Sequence, residues 1–271
     1  MPQFNVEIIL PSGRKCRVEE LSNREYLSII KFAQNSDYAG LSNYFEDKYI
    51  EPDMHIFDRF YLLVYIRMLF IESSITLEVN KRTIDISLDS LLNNLEANYI
   101  DLETKFEENG IEIILDLPQV TYYNNIDDLY ISTIKQVKIA DDIVIFSSLN
   151  AQERLLIMDN LPATIFVHIK KYIQTIQDNL LDIDIISENK SIGVQKLSVN
   201  IIGNGVMHFI SSLYGTDLKG FYTLIYMFQN TILPGSNYFF DMSPVETQII
   251  LNAHSKKVKD ENDKLQKQKQ R

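Results

Sequence analysis

The stretch "HIFDRFYLLVYIRMLFIESS", His55 to Ser74, constrains this chain more than any other. Phe57, Phe60, Tyr61, Val64, Met68 and Ile71 recur at spacings of three and four, the period of a helix face. Leu62, Leu63, Ile66 and Leu69 widen that stripe until it nearly closes around the helix. A helix apolar on nearly all sides must be buried on most of them, by its own domain or partly by another chain. A bilayer is the other apolar surrounding, but a span needs about 20 consecutive apolar residues. Asp58, Arg59, Arg67 and Glu72 interrupt this run, and a charge at the middle of a span costs about 2.5–3.5 kcal/mol. The helix therefore belongs to a protein core and not to a membrane span. Asp53 is placed to cap it, and Arg67 and Asp58 fix its register through polar partners, because an unpaired buried charge is expensive.

The flanking sequence supplies shorter elements. "FNVEIIL", "PSG" and "RKCRVEEL" form a β-hairpin with Phe4, Val6 and Ile8 on one face, Cys16 and Val18 alternating on the return, and Gly13 free to take positive φ. Ser22 and Glu25 have the spacing of a capping box opening a helix whose face carries Leu27, Ile30 and Ala33. "YAGLSNYFEDKYI" is a shorter helix, and "SITLEV" with "RTIDISL" a second hairpin around Asn80-Lys81. "LDSLLNNLEAN" is helical, "GIEIILDLP" is a strand closed by Pro118, and "DDLYISTIKQVKIADDIVIF" holds one or two strands. Asn150 and Glu153 cap a helix that breaks near Pro162 and resumes as a long helix reaching "LLDIDII". "SIGVQKLSVNII" is a strand or hairpin, and two apolar helices joined near Gly215 to Asp217 follow. Ser243, Pro244 and Glu246 then start a final helix with cap, first-turn proline and box in place.

The fold class is α+β: short antiparallel hairpins packed with predominantly helical segments, ending in a long C-terminal helix. Residues 1–96 read as an N-terminal domain of hairpin plus helices, 97–254 as a mixed strand and helix domain after an acidic, turn-rich boundary, and 255–271 as a polar basic tail. Seven basic and three acidic residues lie from Ser255 to Arg271, so the net charge of −11 leaves −15 on the remainder. That balance speaks against general nucleic-acid binding, which needs clustered Lys and Arg. The tail is a solvated helix end or a partner-dependent arm. The single Cys16 has no disulfide partner within the chain, and the N-terminus lacks the basic region and long apolar run of a secretory signal, both in keeping with the cytosol.

No constellation of reactive residues emerges. There is no G-x-S-x-G stretch, and His55, His168, His208 and His254 are scattered in helical contexts, where a lone His is a satisfied core or interface residue. "IIGNGVMHF" places two glycines between a strand and a helix but lacks the third glycine of a dinucleotide turn and the Gly-Lys-Ser/Thr of a P-loop. The acidic pairs at Asp127-Asp128, Asp141-Asp142 and "DIDII" lack calcium-loop spacing and read as turns on a solvated acidic face. The residues call for no enzymatic site, cofactor or metal. What remains is surface: the segments 56–71 and 221–233 are rich in aromatics and Met, which are favoured at interface centres. The candidate partner-interface residues are Phe57, Tyr61, Met68, Phe221, Tyr226 and Phe228.

A resemblance gives this surface a role. The hairpin with "LPSG" at its turn, the helix after "VEELSNREYLSIIKFAQ" and "FDRFYLLVYIRMLFIESSI" resemble the baseplate protein family of contractile-tailed, T-even-type phages, which includes baseplate hub components and a hub-assembly factor. Phe57, Asp58, Tyr61, Leu62, Ile66, Arg67 and Ser73 approximate its central-helix pattern "FD…YL…IR…S". "MSPVETQIILN" is similar to a tail-assembly element that follows an aromatic helix. The likeness covers about residues 1–95, with an echo at 217–256 and nothing over 96–200. It implies a structural or assembly component of the baseplate hub with no enzymatic activity, made in the host cytoplasm and resident in the virion tail baseplate if retained. Its partners would be other baseplate or tail proteins, with a homo-oligomer compatible. The alternative is a transient tail or hub assembly chaperone absent from the mature virion, ahead of an enzyme with an unrecognised site.

Overall fold

A computed structural model describes residues 5–79, 82–99, 101–140, 142–178, 182–186, 194–215, 218–234 and 238–269. The first hairpin pairs β1 (Asn5–Ile9) with β2 (Lys15–Glu19) in antiparallel register, with Gly13 at φ 83° in the turn. Ile8, Cys16 and Val18 point inward, and the Cys16 thiol is free and buried. Phe4 and the Asn80-Lys81 turn lie outside the described residues. Next come α1 (Asn23–Gln34), α2 (Tyr38–Lys48) and the apolar helix α3 (Ile56–Phe70). The capping box at Ser22 and Glu25 forms as expected. The buried face of α1 carries Tyr26 and Ile29 beside Ile30 and Ala33, while Leu27 is only partly covered.

The second hairpin, β3 (Ser74–Val79) with β4 (Arg82–Ser87), leads into α4 (Leu88–Asn98). A four-stranded antiparallel meander follows, in the order β5 (Thr104–Glu108), β6 (Ile111–Leu115), β7 (Ile134–Ile139), β8 (Asp142–Ile145), with α5 (Ile126–Ser132) between β6 and β7. The stretch expected to be acidic turn is thus partly strand β5, which pairs with β6 and half-buries Phe106. The helix α6 (Ala151–Asn160), with its Asn150–Glu153 box, and α7 (Ala163–Ile176) flank Pro162. The expected long helix stops at Ile176: "DIDII" is strand β9 (Asp182–Ile186), paired antiparallel with β10 (Val194–Ser198). Alternating apolar residues in so short a run suit a ladder better than another helical turn. The chain closes with α8 (Gly205–Tyr214), α9 (Leu218–Met227) and α10 (Pro244–Lys269). The architecture is α+β, with small antiparallel sheets and a long C-terminal helix.

The helix α3 sits between α4 and α8, and α8 packs also on α1 and α2, so the buried side chains from Ile8 to Met242 form one cluster. Phe57 leans on Tyr99 at 5.4 Å beside α4, and Phe60 on Phe209 of α8 at 5.5 Å. Each large side chain so buried contributes about 1.5–3 kcal/mol, but apolar packing does not set register. Polar side chains do. The Tyr214 hydroxyl donates to the Leu63 carbonyl at 2.7 Å, and Arg67 Nε donates to the Leu213 carbonyl at 2.8 Å. Arg59 donates to the carbonyls of Met54 and Pro52 at 2.6 and 3.1 Å, fixing the loop that enters α3.

The cap of α3 is His55 and not Asp53: its Nδ1 accepts the Asp58 N–H at 3.2 Å. Asp53 is held instead by Arg14, through contacts of 2.7 and 2.5 Å. Buried Asp58 accepts from the N–H and hydroxyl of Ser12, tying the first hairpin turn to the start of α3. Burial pushes the His55 imidazole below its ordinary value of 6.5, against the opposing pull of Asp58 and Asp116.

Two outcomes follow from these contacts. Arg67→Met leaves the Leu213 carbonyl without its partner and should cost about 1–3 kcal/mol in urea unfolding, with Tyr214→Phe costing about 1 kcal/mol; an unchanged midpoint in both would show that the contacts do not hold α8 on α3. His55 binds its proton more readily when unfolded, so its stabilising contribution is complete above pH 6.5 and is lost as pH falls through the lowered folded value. Thermal melts between pH 7.5 and 5.5 should show a steeper loss for the native chain than for His55→Asn, which keeps a capping acceptor without titrating.

Candidate partner-docking surface

The helix α9 has two apolar sides. Phe221, Ile225 and Phe228, at spacings of four and three, are buried. Phe221 meets Tyr26 of α1 edge-on at 5.7 Å, and Phe228 meets Phe239 at 5.1 Å. The opposite side exposes Tyr222, Met227 and Tyr226, the last at 68%. The helix widens into a π turn over Phe228–Ile232 and ends at exposed Leu233.

Beside it, α10 starts as its sequence dictates. The Ser243 hydroxyl accepts the Glu246 N–H at 3.1 Å, and the Glu246 carboxylate accepts the Ser243 N–H at 3.0 Å. Buried Asn23 clamps this start to α1, its amide donating to the Phe239 carbonyl at 2.8 Å and to the Thr247 hydroxyl at 2.6 Å. Thr247 is buried and Ile250, Leu251 and His254 are half-buried, while Ile249 is 62% exposed. From Ser255 onward every side chain described is exposed. Lys256, Lys257 and Lys259 lie one turn before Asp260, Glu261 and Asp263, a spacing that supports a solvated helix. Between α1, the end of α3, α9 and the start of α10 lies a cleft of about 440 Å³ with Tyr26, Ile71, Phe221 and Leu224 in its wall.

The structure distributes the candidate interface residues unevenly. Phe57, Phe221 and Phe228 are interior, and Tyr61 is buried with its hydroxyl donating to Glu96 of α4. Met68 is half-buried. Tyr226 alone of the six presents most of its side chain to solvent. Phe221, Tyr226 and Phe228 share α9 and its π turn; Phe57, Tyr61 and Met68 share α3. Tyr222, absent from the six, joins Tyr226 on the exposed side of α9, and Ile249 of α10 is exposed as well. The signal for the tyrosines was in the sequence: Tyr222 and Tyr226 stand four apart, each one residue and so about 100° around the helix from Phe221 and Ile225.

Clusters that invite a chemical reading are committed to structure. Ser12, Asp58 and His55 meet, but Asp58 lies between the other two, so the Ser12 hydroxyl donates to a carboxylate and has no imidazole on it. A nucleophilic serine needs its base on the hydroxyl. In the glycine loop, Gly203 and Asn204 are left-handed, and a Cβ on Gly205 would meet the Asn200 carbonyl at 2.2 Å. The Tyr123 hydroxyl accepts the Gly203 N–H at 2.6 Å and donates to the Ile201 carbonyl at 2.9 Å, so the loop's N–H is spent inside the chain. His168 and His208, expected in a core or interface, are exposed: His168 stacks on Phe106 at 4.6 Å, and His208 bonds the Tyr38 hydroxyl at 2.9 Å. Among the described residues no three His, Cys, Asp or Glu side chains gather as a metal site, and no helix is long and apolar enough to cross a membrane.

Residues 1–205 match a protein-family model described as "T4 bacteriophage base plate protein". The chain belongs to that family. The match takes in the acidic middle, over which the sequence resemblance had nothing to offer, and stops before the echo at 217–256. No curated protein and no solved structure matches the chain.

The two sides of α9 predict opposite mutational behaviour. Phe221→Ala empties part of the aromatic seat and should cost about 3–5 kcal/mol. Tyr226→Ala, on the solvent side, should leave stability within about 0.5 kcal/mol of the native chain. Urea midpoints check both, and a large loss on Tyr226→Ala would place that ring in the core.

Proposed function

We propose that this baseplate protein is a structural or assembly component of the hub of a contractile-tailed phage, working through protein–protein contacts and not through catalysis or a cofactor. The observation that carries this reading is the exposed aromatic side of α9, beside a cleft and an exposed turn of α10, on a helix whose other side is already satisfied. Exposed Tyr and Met are suited to such contacts, since they bring large contact area and adapt to a partner's shape. Other baseplate or tail proteins are the partners, met first in the host cytoplasm. The α10 extension is a solvated arm that reaches beyond the body and adds little to its core.

Three measurements test this. Deleting residues 255–271 should leave the melting temperature within about 2 °C, because every side chain described there is exposed. A pull-down from infected cells should recover named baseplate or tail proteins with the native chain and lose them with Tyr222→Ala/Tyr226→Ala. Mass spectrometry of purified virions should find the chain in fixed stoichiometry with the hub. Its absence there, with hub assembly still dependent on it, would replace the resident component by a transient assembly chaperone. Recovery of the same partners by the double variant would remove the α9 face from the proposal.

A further inference from the structure

A second surface lies where the four-stranded sheet stops. Strand β8 is its edge: it pairs with β7 from Gln136↔Ile145 to Ile139↔Asp142, and no described strand lies on its other side. Edge strands are usually blunted by shortness, by charged side chains such as lysine, by proline or by a bulge, and β8 is short, with Asp142 at its start as its one charge. The sequence of β8, "DIVI", has neither lysine nor proline, and it exposes Ile143 at 59% and Ile145 at 51%. Its C-terminal end opens into a cleft of about 500 Å³ bounded by Asp53, Asp116, Lys135 and Arg154.

The charges in that cleft are not equally committed. Asp53 is taken by Arg14 and Asp116 by Lys135, which also holds Glu103. Arg154 has no carboxylate within ion-pair distance among the described residues. One of its terminal nitrogens donates to the Ser147 carbonyl at 3.2 Å, and its buried Nε meets no acceptor. A buried donor left unmade costs about 1–3 kcal/mol, and a guanidinium is shaped for a carboxylate. Arg17 also lacks an ion pair among the described residues but is exposed to water, whereas Arg154 buries an unmatched donor. Ile145, at the end of the free edge, lines the cleft together with Arg154, and exposed Ile143 stands two residues before it on β8.

We infer that β8 and the cleft at its end take an extended segment of another baseplate protein, added to the sheet as a strand, with an Asp or Glu side chain of that segment seated on Arg154. Main-chain hydrogen bonds to β8 supply the affinity, Ile143 and Ile145 cover alternate side chains, and Arg154 selects for the acid. The identity of the donor protein rests on the baseplate reading; the geometry of the site does not.

The test uses the full chain and peptides of about 12 residues, enough to cover a strand, tiled across the other tail and baseplate proteins of the same phage. Fluorescence anisotropy should find peptides with an acid within an alternating apolar pattern, and hydrogen exchange should show the amides of Ile143 and Ile145, which point away from β7, protected on binding. Arg154→Gln and Ile143→Lys should each weaken binding about tenfold, while Tyr226→Ala leaves it unchanged. Arg154→Lys, which keeps the charge, serves if Arg154→Gln lowers the melting temperature. No binding peptide, or binding indifferent to both Arg154 variants, overturns the inference. Binding lost on Tyr226→Ala instead assigns the peptides to the α9 face and sinks this site while sparing the proposed function. Concentration-dependent dimerisation abolished by Ile143→Lys would make the occupant a second copy and overturn the proposed partner.

Discussion

The seating of α3 against α8 is the contact on which the remaining packing depends. A helix apolar on every side gains from any apolar neighbour and is particular about none. Specificity has to come from groups that tolerate one geometry only. Two such groups cross the interface in opposite directions: Tyr214 of α8 donates to a carbonyl of α3, and Arg67 of α3 donates to a carbonyl near the end of α8. Both answer a local need. A fully buried tyrosine hydroxyl requires an acceptor, and the last carbonyls of a helix lack intrahelical donors and favour a nearby cation. With α8 set, Ser211 reaches the Ala33 carbonyl of α1, and α1 and α2 find their positions on the same helix.

Features governed by nearby residues were legible before the structure. The capping boxes at Ser22, Asn150 and Ser243, the turn at Gly13 and the break at Pro162 are each decided within a few residues, and each forms as the local chemistry demands. Features decided by distant residues were not. "DIDII" contains apolar residues compatible with helix or strand, and pairing with 194–198 chooses between them. The cap of α3 depends on Arg14, which claims Asp53 from 39 residues away and leaves His55 to accept the Asp58 N–H. Likewise α5 escaped notice because its seven residues are too short for periodicity to declare themselves.

The proposed docking surface shows the same division. Composition marked 221–233 as aromatic-rich but could not say which rings face inward. Phe221 and Phe228 turn toward Tyr26 and Phe239, and Tyr226 turns away, because α9 lies against α1 along one line only. The helix period separates the two sets, so this much was available in principle. Arg154 was not available at all. Nothing in "NAQERLL" distinguishes an arginine with a carboxylate from one without, since the lack of a partner is a property of the folded neighbourhood.

The family match ends at residue 205, where α8 begins. The matched span therefore contains α1, α2 and α3 but not the helix on which all three pack. Without α8, the Phe60 and Leu63 side of α3 would face water and Arg67 would lose its carbonyl. The C-terminal region is thus no appendage, since its first helix completes the core of the matched span. Its second helix spends one side on that same task, through Phe221 and Phe228, and leaves the other uncommitted. On the proposed reading, folding and docking are divided across the width of α9. Substitution at Tyr222 or Tyr226 would then retune the proposed contact at little cost to the fold, whereas substitution at Phe221 or Phe228 would reach it only by first disturbing the core.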